Sequence, residues 1–162
     1  MYMVKEEFKD NGVNIERHSK PRDRKKQLFG EEFELFVLDC LKDVGLSREC
    51  TWHPFGRNGR IDILWSLKNV EMECKRLYKT EFVDLAWCYE NIINRFAEDA
   101  IKLCIVTERK WSRTEEALMN LHRIKIIETG QINTQRERKK ARKAFINQFL
   151  ELLTEKIEVV AA

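Results

Sequence analysis

Apolar positions between Gln27 and Val44 recur at helical spacing (Phe29, Phe33, Val37, Leu41, Val44), and Gly45 follows as a stop, so the spacing predicts a first helix over 27–44. Gly59 to Trp65 and Val70 to Lys75 carry the β-branched and aromatic content of short strands, with polar Lys68-Asn69 as the turn of a hairpin. Alternation along the second strand sends Val70, Met72 and Cys74 to one side and Glu71, Glu73 and Lys75 to the other. Further on, Thr80 reads as the cap of a helix over 81–100, and the continuous apolar run Leu103 to Val106 reads as a strand over 102–107, covered on both faces and hence central. Ser112 with Glu115 makes a capping box for a helix to about Leu121, a short strand follows over 124–127, and Thr134 caps a long terminal helix. This order predicts an α/β fold, a three-layer sandwich with a central mixed β-sheet flanked by helices.

The chemistry gathers on the hairpin. An acid inside a strand as apolar as Ile61-Asp62-Ile63-Leu64-Trp65 is costly unless it has a partner. Asp62 and Glu73, with the backbone carbonyl of Cys74 between Glu73 and Lys75, offer the hard oxygen ligands that Mg²⁺ prefers, leaving positions for water and phosphate oxygens. Lys75 then stands where negative charge develops during hydrolysis. The alternative is that Glu71, Glu73 and Lys75 are the solvated face of an edge strand, with Asp62 an ordinary acid near a loop. Glu34 lies at the margin of the first helix's apolar stripe and can reach a cleft, whereas Glu31 and Glu32 are placed to favour the helix N-terminus.

Asp62, a ten-residue spacer, Glu73-Cys74-Lys75, and upstream Gly30-Glu31-Glu32-Phe33-Glu34 on a helix together resemble the PD-(D/E)xK nuclease superfamily, which includes restriction-type endonucleases, Mrr-like members and archaeal Holliday-junction resolvases. Ile61 stands where the motif's name puts Pro. The resemblance implies a restriction-endonuclease-like fold and a Mg²⁺-dependent DNA endonuclease, with Mn²⁺ able to substitute. In it Asp62, Glu73, the Cys74 carbonyl and Glu34 hold metal, and Lys75 assists hydrolysis. A structure-selective or weakly sequence-selective enzyme of recombination or repair is expected; the alternative is a catalytically inactive nuclease-fold module that binds DNA or RNA within a larger complex.

With 162 residues and 43% hydrophobic content, the chain suits one domain over 27–162, preceded by a polar, basic arm over 1–26. A net charge of +3 permits nucleic-acid binding without demanding it, so the placement of charge matters more. Arg57 and Arg60 lead into Asp62, Arg76 follows Lys75, and Lys139 and Lys140 stand on the basic turns of the terminal helix; these are the expected nucleic-acid contacts. The apolar half of that helix needs cover from the sheet or from a second subunit, and two active sites for two strands would favour a homodimer. Five scattered cysteines without a CxxC pair and no apolar stretch near the ~20 residues of a membrane span read as a reduced, intracellular protein that does not enter membranes.

Overall fold

The computed structural model describes residues 21–46, 48–53, 61–77 and 83–161, with side chains described between 28 and 155. Helix α1 (Pro21–Asp43) starts six residues before the predicted start at Gln27. Pro21 fits a first helical turn, where its missing N–H is no loss, and the Arg, Lys and Gln that follow are good helix formers, so the helix takes residues 21–26 from the expected arm. Glu31 and Glu32 are therefore mid-helix, not at its N-terminus as their sequence position suggested. The predicted stop is present: Gly45 adopts φ +84°, its N–H bonds to the Lys42 carbonyl at 3.0 Å, and the Leu46 N–H reaches back to Leu41 at 3.0 Å. That doubly bonded left-handed exit favours glycine.

Five strands follow: β1 (Cys50–Trp52), β2 (Ile63–Trp65), β3 (Val70–Lys75), β4 (Ile101–Val106) and β5 (Ile124–Glu128), lying side by side in chain order. The first two pairings are antiparallel and the last two parallel, which makes the sheet mixed. The β2–β3 turn is longer than the expected dipeptide: Ser66–Lys68 form a 3₁₀ turn and Asn69 closes it at φ 55°, a conformation asparagine tolerates.

Helices α2 (Leu85–Asn91), α3 (Arg113–Leu121) and α4 (Gln135–Ala161) complete the chain. The crossovers β3–α2–β4 and β4–α3–β5 step the same way across the sheet, so a common handedness puts both helices on one face. There they share a core with Cys104, Val106 and Ile124. The opposite face, carrying Val70, Met72, Leu103, Ile105 and Ile127, is covered by α1 and α4. The result is the α/β three-layer sandwich that the sequence pattern predicts.

Two consequences bear on the site. β3 is the middle strand, so its polar side faces the α2/α3 layer rather than water: Glu71 is 4% exposed and Glu73 1%. This overturns the edge-strand alternative. Phe145 and Phe149 of α4 stack at 5.4 Å between ring centroids and are buried on the chain's own sheet, so its main apolar stripe gives no call for a second subunit. Among the described residues no helix is long and apolar enough to cross a membrane.

Candidate active site

Asp62 is fixed through its backbone on both sides. Its N–H bonds to the Met72 carbonyl at 3.1 Å, and its own carbonyl accepts the His53 N–H at 2.8 Å. Just past this point β2 and β3 part, and the Asp62 side chain fills the gap: Oδ2 accepts the Cys74 N–H at 2.8 Å. In a strand the N–H and C=O of one residue point to the same edge, so the Cys74 carbonyl is directed toward that opening as well. The unusual acid in an apolar strand thus has the partner its burial demands.

Glu73, one residue before Cys74, projects into the α2/α3 layer. Its Oε2 meets the Lys75 Nζ at 2.8 Å and the Arg95 Nε at 3.4 Å. Oε1 is buried and, among the described residues, has no hydrogen-bond partner. Glu34 arrives from α1 on the other layer, held by the Trp52 indole N–H at 2.8 Å. Asp62, at the end of β2, is the member whose charge Glu34 feels most, with Glu73 next. Among the described residues no three His, Cys, Asp or Glu side chains converge as a ready donor set.

Electrostatics agree with a crowded acidic pocket. Burial, then the charges of Asp62 and Glu73, push Glu34 up to about 8. Burial raises Glu73 to about 7 and the Asp62 charge adds to this, while Lys75 and Arg95 pull the other way. Burial raises Asp62 too, against the Cys74 N–H and the two cations. For Lys75, burial alone would lower the ammonium, but the Glu73 carboxylate overrides it and the net shift is upward. Lys75 is therefore an ammonium at neutral pH, able to stabilise negative charge and unsuited to act as a base.

The Glu34 shift makes a stability prediction. A carboxyl raised from 4.5 to about 8 holds its proton in the folded state where the unfolded chain has lost it, so its contribution is full below 4.5 and fades as pH rises through 8. Glu34→Gln mimics the protonated form and keeps an acceptor for Trp52. Thermal unfolding should show the variant close to wild type at pH 4 and more stable than wild type at pH 9, the two ends being set by that shift.

Of the expected nucleic-acid contacts, Arg57 and Arg60 lie outside the described residues. Arg76 is buried: its guanidinium lies 3.6 Å over the Phe29 ring and bonds to the Phe29 carbonyl at 2.9 Å, Glu32 at 2.7 Å and Asn133 at 2.9 Å. It ties α1 to the approach of α4 and is not presented to a ligand. Arg76→Ala should cost about 1–3 kcal/mol, measurable by urea unfolding, through loss of its stacking on Phe29 and its bonds to the Phe29 carbonyl and Asn133, while the half-exposed Glu32 regains water. Lys139 and Lys140 are exposed on α4. Glu71 accepts the Ala97 N–H at 2.8 Å and so anchors the backbone that carries Arg95, a structural duty apart from Glu73.

Arg95 escaped the sequence reading. Helical periodicity runs unbroken from Leu85 to Phe96, yet α2 ends at Asn91 and Ile93–Arg95 turn as a 3₁₀ segment. Thr80, the expected cap, lies outside the described residues; α2 is capped by Asp84, which accepts the Trp87 N–H at 2.9 Å. The available signal was a lone cation beside buried Ile92, Ile93 and Phe96, one turn from the carboxylates of β3 only after folding. No protein-family model, curated protein or solved structure matches the chain.

Proposed function

We propose that the protein is a metal-dependent DNA endonuclease of the PD-(D/E)xK kind, hydrolysing phosphodiester bonds at Asp62, Glu73 and Lys75. The observation that carries this reading is the Glu73 carboxylate, 1% exposed, with Oε1 lacking a donor among the described residues, beside Asp62, and with Lys75 on its other oxygen. An orphaned buried oxygen among carboxyls that repel one another fits a divalent cation, and the donors it would find are Asp62, Glu73 and the Cys74 carbonyl, hard oxygens of the type Mg²⁺ or Mn²⁺ takes. Bound there, such a cation would polarise the phosphate and lower the pKa of water. Glu34, which keeps its proton at neutral pH while no cation is bound, brings a further carboxyl oxygen from the α1 side, its orientation set by Trp52; a bound cation would favour its ionised form. The Lys75 ammonium stabilises negative charge gathering on the phosphoryl oxygens as a water oxygen bonds to phosphorus and one P–O ester bond breaks, leaving an alcohol on one chain end and a phosphate monoester on the other.

One observation favours the second reading, a nuclease-fold module that binds nucleic acid without cutting it. Lys75 and Arg95 both sit on Glu73 Oε2, so the buried charge is already partly neutralised. Incubation of plasmid, linear, branched and single-stranded DNA with Mg²⁺, Mn²⁺ or EDTA separates the two. Cleavage that EDTA stops supports the endonuclease. Binding without cleavage under every condition overturns it in favour of the module.

A further inference from the structure

Along the line where α4 crosses α1 lies an open trough of about 720 Å³, lined by Phe36 of α1 and by Gln135, Arg136, Arg138, Lys139 and Arg142 of α4. Its four cations divide into two kinds. Arg138 is tied to Glu32, and Arg142 to Asp39 and Asp43, with both guanidinium groups within 6 Å of the Phe36 ring. Arg136 and Lys139 are exposed, and among the described residues neither has an ion-pair partner. Acids thus fix the first pair as the trough's floor, while the second pair stands on the first two turns of α4, where backbone N–H groups add positive potential.

Direct contacts link this trough to the acidic site. Lys75 is followed by Arg76, Arg76 holds one carboxylate oxygen of Glu32, and Arg138 holds the other. Glu34 of the site and Phe36 of the trough are two residues apart on α1, so about one helix diameter, 10–12 Å, separates the two. That is the spacing of a few phosphates along one strand. Phe36 is only 4% exposed, so the trough offers no aromatic platform for unstacked bases. Single-strand binders rely on such platforms, and their absence from this lining favours a duplex.

We propose that this trough, resting on the endonuclease reading above, binds the phosphate backbone of duplex DNA lying across the acidic site, with Arg136 and Lys139 holding phosphates that flank the one to be cut. Lys140, exposed but outside the lining, has no part in it.

The test is fluorescence anisotropy of a labelled duplex of three helical turns with the full chain in EDTA, over a range of NaCl. It compares wild type with Arg136→Glu/Lys139→Glu. Acidic residues are welcome in the first turns of a helix, so this variant should fold. Lys68→Glu/Lys125→Glu makes the same charge change at exposed positions toward the other end of the parallel strands. The trough variant should bind at least about 10-fold more weakly, and its log K against log salt slope should be shallower by about two, the loss of two phosphate contacts. The control pair should keep the wild-type slope. Equal weakening by both pairs, or wild-type binding by the trough variant, overturns the proposal. If wild type cuts with Mg²⁺ while the trough variant binds and cuts as well as it does, the trough fails and the endonuclease stands. If wild type binds through the trough and never cuts, the endonuclease fails and the binding surface stands.

Discussion

Asp62→Asn and Glu73→Gln should each reduce Mg²⁺-dependent cleavage by about 10³-fold or more, above the 10–100-fold typical of outer-shell changes at metal sites. Both are nearly isosteric. In Asp62→Asn the amide oxygen can still accept the Cys74 N–H, so the end of β2 stays closed. At Glu73→Gln the cost to folding is set by Lys75 and Arg95, which lose a carboxylate partner, and the gain by relief of burial of a charge and of repulsion with Asp62. Stability should therefore move by no more than about 1–2 kcal/mol, a range common for single substitutions. Circular dichroism and urea unfolding supply that control. Single-turnover cleavage on a plasmid supplies the readout, and duplex binding in EDTA should stay within about threefold of wild type, since neutralising an acid removes no phosphate contact. A variant at either position that cuts at the wild-type rate would remove the site from the mechanism.

Much of this arrangement was legible before folding was considered, and the reasons differ by element. The caps are local: the Ser112–Glu115 box closes as its spacing says, and Thr134 caps α4 as expected, taking the Glu137 N–H at 3.1 Å, while Glu137 returns a bond from the Thr134 N–H at 3.2 Å. The interior place of β4 was legible because Leu103 to Val106 is apolar on both faces, as a strand between two layers must be. What failed was non-local. Periodicity could not end α2 at Asn91, since the residues that leave the helix, Ile92, Ile93 and Phe96, are as apolar as those within it and are needed in the same core. The break is imposed from β3, where Glu71 takes the Ala97 N–H. Arg76 was misplaced for a related reason: beside Lys75 it looks like a second phosphate contact, and only the approach of Phe29, Glu32 and Asn133, all far along the chain, turns it inward. The acid–acid–lysine spacing was readable; the cation that flanks it from a separate turn was not.

Lys75→Ala should lower the cleavage rate by about 10²-fold or more at saturating Mg²⁺, in the range for loss of one preorganised electrostatic donor. The Glu73 carboxylate at 2.8 Å keeps the lysine charged, so its contribution is to negative charge that appears on the phosphoryl oxygens in the transition state. Loss of such a group lowers kcat and kcat/KM together and leaves KM near its original value. Removing the ammonium also withdraws one of two cations from Glu73, and Arg95, whose Nε is 3.4 Å from the same oxygen, remains to hold it. Arg95→Ala should therefore be the milder lesion, about 10-fold in rate, because it supports Glu73 from the longer distance; the scale is that of changes behind a metal ligand. The double variant tests whether the two cations share one task. If both act through Glu73, the combined loss should differ from the product of the single losses, as expected for groups contacting a common partner. Measured independence would assign them separate roles, and a Lys75→Ala protein that cuts normally at saturating Mg²⁺ would make Lys75 no more than the counter-charge that lets Glu73 be buried.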